Sequence, residues 1–170
     1  AMETAVSNLV TPGDVVLVCL MGFFGERLVE MANRHGADVY TIEKPWGEVF
    51  EPSDIYAAVE EHRPAIVMLV HAETSTGALQ PLADIGDICR EFDCLLLVDC
   101  VTSLGAALVH FDSLKIDVAY SCSQKGLSCP PGASPITVGP RAAERISKRY
   151  VKTDTWYLDL NLLTPYWLGE

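Results

Sequence analysis

At 170 residues the chain has the length of one domain. Hydrophobic residues make up 49% of it and the mean hydropathy is +0.22, enough for a large core, while a net charge of −11 argues against a nucleic-acid or anionic-membrane surface. No apolar run approaches a membrane span and no signal-peptide pattern is present. The six cysteines form no CxxC pair, which disfavours a zinc or disulfide framework and suits reduced, buried thiols in a cytoplasmic protein.

Residues 2 to about 10 read as a helix with Met2, Ala5, Val6 and Leu9 on one face. Thr11-Pro12-Gly13-Asp14 is a turn and Val15 to Leu20 a buried strand. Gly22 to Gly25 turns into a helix ending near His35, its buried stripe Phe24, Leu28, Met31 and Ala32, with Gly36 just past its end. Asp38 to Ile42 is a second strand, and Lys44 to Glu48 a loop. Ser53 is the expected cap of a helix through His62, packed by Ile55, Ala58 and Val59. Ala65 to Val70 is a third strand, ending at His71. A hydroxyl-rich loop, Glu73-Thr74-Ser75-Thr76-Gly77, follows it. Pro81 is expected to open the next helix, with Leu82, Ile85, Cys89 and Phe92 inward. Leu95 to Val98 is a strand carrying Asp99, and Thr102 to Gly105 the turn after it. Asp117 to Tyr120 and Ser134 to Val138 are two more strands. Pro140 starts a helix to about Arg149 whose charges read as a solvated face. Apolar strands alternating with amphipathic helices predict an α/β fold, a three-layer α/β/α sandwich around a mostly parallel sheet.

Two of these stretches suggest chemistry. Cys94-Leu95-Leu96-Leu97-Val98 is continuously apolar, as suits a parallel strand covered on both faces, and it delivers Asp99 to a carboxyl end, where α/β sheets bind ligands. Val118-Ala119-Tyr120 runs into Ser121-Cys122-Ser123-Gln124 and then Lys125. A lysine placed after a buried strand is positioned for desolvation, which would free its amine to attack an aldehyde; on the local pattern alone, a solvated surface lysine is the simpler reading. An acid for a pyridinium nitrogen and a lysine for an aldehyde are the two groups that pyridoxal phosphate chemistry needs most. His71 could be taken for a base, but packing or structural hydrogen bonding is the plainer account of it.

LLLVDCVTSLGA together with YSCSQKGL resembles the class V aminotransferases, a branch of the fold-type I pyridoxal-phosphate enzymes. HAETSTGALQPL, from His71 to Leu82, and GFFGERLVEMANRHGA, from Gly22 to Ala37, resemble the alanine–glyoxylate and serine–glyoxylate (serine–pyruvate) group within that class. The resemblance is collinear and covers nearly the whole chain. It implies pyridoxal 5′-phosphate as cofactor, with Lys125 and Asp99 catalytic. Phe24 is implied to stack on the ring, where the group has tryptophan, and Thr74 to hydrogen-bond the cofactor. Val101 is implied to lie against the ring, and Ser123 and Gln124 near the phosphate. No metal site is expected. Trp156 to Asp159 resembles an interface or site-lining segment. By the same resemblance, residues 1–170 are part of a cofactor-binding large domain, with a glycine- and serine-rich phosphate loop expected before Ala1 and a smaller domain after Glu170.

The implied function is transfer of an amino group from a small amino acid, alanine or serine, to a 2-oxo acid, glyoxylate or pyruvate. A homodimer when full length is implied too, in the cytoplasm, or in peroxisomes or mitochondria of a eukaryote. The donor stays open at this level. Another class V enzyme of the lyase or desulfurase type is the runner-up, although Gln124 stands where a desulfurase usually has histidine. A non-catalytic cofactor-binding or interaction domain is a third reading. A dinucleotide-binding domain is disfavoured by the lack of a GxGxxG turn after the first strand.

Overall fold

The computed structural model describes residues 1–169. In chain order its elements are α1 (Met2–Leu9), β1 (Val15–Leu20), α2 (Phe23–Arg34), β2 (Asp38–Glu43), α3 (Pro52–His62), β3 (Ile66–Val70), β4 (Ala72–Glu73) and β5 (Ala78–Leu79). They are followed by α4 (Ile85–Glu91), β6 (Leu95–Asp99), β7 (Val118–Tyr120), β8 (Ile136–Val138), α5 (Pro140–Ser147) and α6 (Leu160–Leu168). Six strands form one sheet in the order β2-β1-β3-β6-β7-β8. All pairings in it are parallel except β7 with β8.

Sequence explains the sheet directly. β3 and β6 are apolar at nearly every position and buried throughout, as strands covered on both faces must be. β2 has one strand neighbour, β1, and stays largely exposed or half-buried along its length, with charged residues at both ends. Helices α1 and α2 pack together, as do α3 and α4, giving the two outer layers of the α/β/α sandwich. Loss of any one fully buried Leu, Ile or Met from the central layer would forfeit about 1.5–3 kcal/mol of transfer free energy.

The chain leaves β1 toward β2 on one side and returns to β3 on the other. Such a reversal opens a crevice at the carboxyl ends of the two diverging strands, here β1 and β3. The next pairings set the floor beside it: Val70 lies opposite Asp99, and Asp99 opposite Tyr120.

Four local expectations are corrected. The cap of α3 is Glu51, which forms a capping box with Asp54, because Pro52 occupies the first helical position and Ser53 is already inside the helix. Helix α4 begins at Ile85 rather than Pro81, since Asp84 adopts a left-handed backbone (φ 65°) that no right-handed helix can contain. The stretch after His71 is a small antiparallel hairpin, β4–β5, rather than a plain loop. The arginines of α5 do not form a solvated face. Arg141 binds the Asp117 carboxylate (3.2 Å) and the Cys94 carbonyl (3.2 Å), Arg145 the Leu9 carbonyl (3.0 Å), and Arg149, just past the end of α5, the Ser7 carbonyl. They tie α5 to α1 and to the sheet, and Asp117, itself buried, also accepts the Leu96 N–H (2.9 Å).

Candidate active site

Asp99 ends β6 with its side chain 2% exposed. Its Oδ1 accepts the Val101 N–H (2.8 Å) and its Oδ2 the Tyr120 hydroxyl (2.8 Å). Burial holds the Asp99 carboxyl above the ordinary range; the two hydrogen bonds and the Arg27 charge pull it down, and the Glu73 charge pushes it up. Tyr120, buried beside it, has its phenol raised well above the usual value by burial and by the Asp99 charge. Among the described residues no lysine, arginine or histidine forms an ion pair with Asp99. It is a desolvated carboxylate with lone pairs to spare and no bonded cation.

Lys125 follows β7 by five residues. The expected burial of its amine is not found: Gln124 and Lys125 are both exposed, because the buried stretch that continues from β7 ends at Ser123. The turn is nevertheless fixed. A Cβ on Gly126 would stand 2.3 Å from the Leu104 carbonyl oxygen and 2.8 Å from that of Thr102, so only glycine fits there. Gly105, at φ +87°, meets Gly126 from the other side, with the Gly126 carbonyl oxygen 2.8 Å from where its Cβ would be. The lysine turn and the turn after Asp99 are thus packed backbone on backbone.

Ser123 is buried and its groups are committed to this loop. Its hydroxyl donates to the Pro130 carbonyl (2.7 Å), its N–H to the Ala133 carbonyl (3.0 Å), and its carbonyl accepts from Cys129 N–H (2.9 Å). With its one hydroxyl proton engaged, Ser123 helps to shape the 123–133 loop.

On the crevice side, Phe24 lies in the first turn of α2, half-buried. Its ring meets Phe23 edge-on (centroids 5.5 Å apart), and the Arg27 guanidinium lies 4.9 Å from its centroid. Thr74 is exposed in the β4–β5 turn and its hydroxyl is hydrogen-bonded to that of Thr102 (2.5 Å), with either oxygen able to donate. Val101 is half-buried beside Asp99. Asp99, Val101 and, through Thr102, Thr74 therefore join one connected cluster.

Sequence reasoning singled out neither Tyr120 nor Glu73. Glu73 is 1% exposed, and its carboxylate accepts the Phe24 N–H (3.1 Å), the Ser75 N–H (3.1 Å) and the Ser75 hydroxyl (2.7 Å). The one available signal was a tyrosine placed at the register position of Asp99, visible only once the strands are paired. His71 is buried and burial lowers its imidazole pKa, favouring the neutral ring; its Nδ1 has no hydrogen-bond partner among the described residues. Its backbone N–H donates to the Asp99 carbonyl (2.9 Å), joining the end of β3 to β6.

All six cysteines are free thiols, four of them buried, with Cys19 pushed up to about 12 and Cys100 to about 11 by burial. No group of three metal-binding side chains is assembled among the described residues, and no helix among them is long and apolar enough to cross a membrane.

These residues fit pyridoxal phosphate. An uncompensated buried carboxylate suits a protonated ring nitrogen, an accessible lysine suits an aldehyde, and an aromatic side chain and a hydroxyl pair stand past the carboxyl ends of the neighbouring strands β1 and β3.

Comparison with known proteins agrees. The family model for aminotransferase class V matches residues 1–156. Alanine–glyoxylate aminotransferase of Drosophila melanogaster is 41% identical over 167 residues, covering 98% of this chain and 42% of that protein. (S)-Ureidoglycine–glyoxylate transaminase of Bacillus subtilis is 43% identical over 148 residues, covering 87% of this chain and 36% of that protein. The solved structure of alanine–glyoxylate aminotransferase from Nostoc sp. superposes with a TM-score of 0.96 at 60% identity, covering 98% of this chain and 44% of that one. The chain thus spans about two fifths of the length of these relatives.

Proposed function

Because the chain belongs to the class V aminotransferases, we propose that the whole protein transfers the amino group of a small amino acid, alanine or serine, to glyoxylate or pyruvate, and that these 170 residues supply its lysine and its ring-nitrogen acid. The observation that carries this reading is Asp99, a buried carboxylate with no bonded cation among the described residues, at the end of β6, beside the strand that leads to Lys125. The glyoxylate acceptor rests on the names of the relatives.

Bound pyridoxal phosphate would supply an aldehyde carbon and a ring able to draw electrons from the substrate's Cα. Asp99 would hold the proton on the ring nitrogen, its carboxylate oriented by Val101 N–H and Tyr120. Lys125 would hold the aldehyde covalently, give way to the substrate amine, and then carry a proton to and from Cα as general base and acid. Phe24 would cover the ring and Val101 would lie against it. Thr74, hydrogen-bonded to Thr102, would donate to the cofactor. Ser123 and Gln124, just before Lys125, would lie near the phosphate, Ser123 also keeping the loop in shape. A homodimer is part of the proposal; the aromatic side chains left exposed at Trp156, Tyr157, Tyr166 and Trp167 favour a protein partner over solvent.

The test is cofactor titration and single-turnover kinetics in the whole protein. Wild type should gain the visible absorbance of lysine-bound cofactor, and Lys125→Ala should not. Asp99→Asn should keep that absorbance yet lower kcat about a hundredfold, a barrier increase of ~2.7 kcal/mol. An Asp99→Asn protein that transaminates alanine and glyoxylate at the wild-type rate would show the assigned role to be wrong.

A further inference from the structure

Helix α2 has no cap of its own. Gly22 precedes it and offers no side chain, yet the first N–H groups of the helix are not left to solvent. The Phe24 N–H reaches Glu73 Oε2 (3.1 Å), and the Phe23 N–H reaches Ser75 Oγ (3.1 Å). Both acceptors come from the β4–β5 hairpin, 49 and 52 residues away in sequence. Glu73 Oε1 in turn holds Ser75 through its N–H and its hydroxyl. The carboxylate forms no ion pair among the described residues, and the positive end of α2 is the charge it faces. The approach is tight: a Cβ on Gly22 would lie 2.5 Å from Glu73 Cγ and 2.6 Å from Ser75 Oγ.

We propose that Glu73 is a positioning residue that locks the helix carrying Phe24 to the hairpin carrying Thr74, across the crevice between β1 and β3. The role rests on the cofactor reading above, in which those two side chains contact the cofactor. One side of the crevice is α2 and the other is the hairpin. Glu73 begins immediately before Thr74 in sequence and ends on the backbone of Phe24, so any shift of one element is passed to the other. A neutral amide cannot replace it. Glutamine has one acceptor oxygen, so either the Phe24 N–H or Ser75 would face an NH2 group. The charged groups facing this carboxylate's neighbour Asp99 include Glu73 itself and Arg27, so removing the Glu73 charge also favours ionisation of Asp99.

The experiment uses the whole protein with Glu73→Gln and, as a milder change, Ser75→Ala. Three quantities are read: the pyridoxal phosphate dissociation constant, the induced circular dichroism of bound cofactor, and amide exchange at Phe24 and Ser75 in the cofactor-free protein. Glu73→Gln should weaken cofactor binding at least about tenfold, or ~1.4 kcal/mol. At saturation the absorbance of lysine-bound cofactor should persist while its dichroism falls, because the ring is held but no longer fixed in orientation. Amide protection at Phe24 should drop, and Ser75→Ala should move all three in the same direction by less. Wild-type affinity, dichroism and Phe24 protection in Glu73→Gln would overturn the proposal. If that variant does not fold, unchanged values in Ser75→Ala overturn it instead. If wild type binds no cofactor, the function proposed above falls, and amide exchange alone still decides whether Glu73 clamps the two elements.

Discussion

Replacing Tyr120 by phenylalanine removes one hydroxyl from the floor of the site and leaves the ring in place. That hydroxyl donates to Asp99 Oδ2 at 2.8 Å, and both side chains are 2% exposed. A hydrogen bond to an ionised group contributes about 1.5–3 kcal/mol, so Tyr120→Phe should lose about that much stability at neutral pH. The pH dependence follows from the direction of the Asp99 shift. Its folded-state pKa is raised, chiefly by burial, so between the unfolded and folded values the native state holds the extra proton. Stability therefore falls as pH rises through that window, and the full cost of burying the charge is present above it. Tyr120 offsets part of this cost only while Asp99 is ionised. The stability gap between wild type and variant should be widest at neutral pH and narrow as Asp99 protonates, because a neutral pair contributes only about 0.5–1.5 kcal/mol. Urea denaturation at a series of pH values measures the gap, and isotope-edited infrared spectra of the Asp99 carboxyl report its protonation directly. A gap that stays constant across the series would mean that the bond is not charge-assisted. Equal stabilities at neutral pH would mean that Asp99 is not an ionised acceptor in the fold, and its assignment to the ring nitrogen would go with it.

Gly126→Ala should destabilise the chain by about 1–3 kcal/mol, as overpacking does, because its Cβ meets backbone oxygens that cannot swing away; the same denaturation curves test this, and a neutral effect would show that the two turns can separate. Arg141→Met should cost about 1–3 kcal/mol, since the buried Asp117 carboxylate keeps Arg90 (3.1 Å) but loses its second guanidinium. Double replacement with Asp117→Asn should recover part of that loss, and a strictly additive double mutant would deny the pairing.

Much of this architecture can be read from periodicity. β1, β3 and β6 are uninterrupted apolar runs, and their bounds in the sequence fall within a residue of those in the structure. The hairpin escaped because its strands are two residues long, below any window in which alternation can be counted. The arginines of α5, and Arg149 just beyond it, differ from expectation for a related reason. Their spacing fits an exposed helical stripe, and only the fold brings the carbonyls of Ser7, Leu9 and Cys94 to meet them. Asp99 stands out because a charged residue closes an otherwise apolar, buried strand, whereas Lys125 stands out through the resemblance carried by YSCSQKGL and not through its local pattern. Glu73 does not stand out, since one acid among hydroxyls in a polar stretch looks like solvent-facing loop until α2 is laid against it. The exposure of Lys125 shows the converse: a buried strand says nothing about the cover over a side chain five residues beyond its end.

The contact between Gly105 and Gly126 bears on how an amine could travel. With main chain packed this closely against main chain, the turn that carries Lys125 has little room to approach the turn after Asp99. Displacement of the amine then falls chiefly to rotation about the four single bonds of the lysine stem, a motion of the ps–ns class for an exposed side chain. On the function proposed above, the proton carrier would be a short flexible tether on a packed post, its reach set by stem length rather than by a loop that opens and closes.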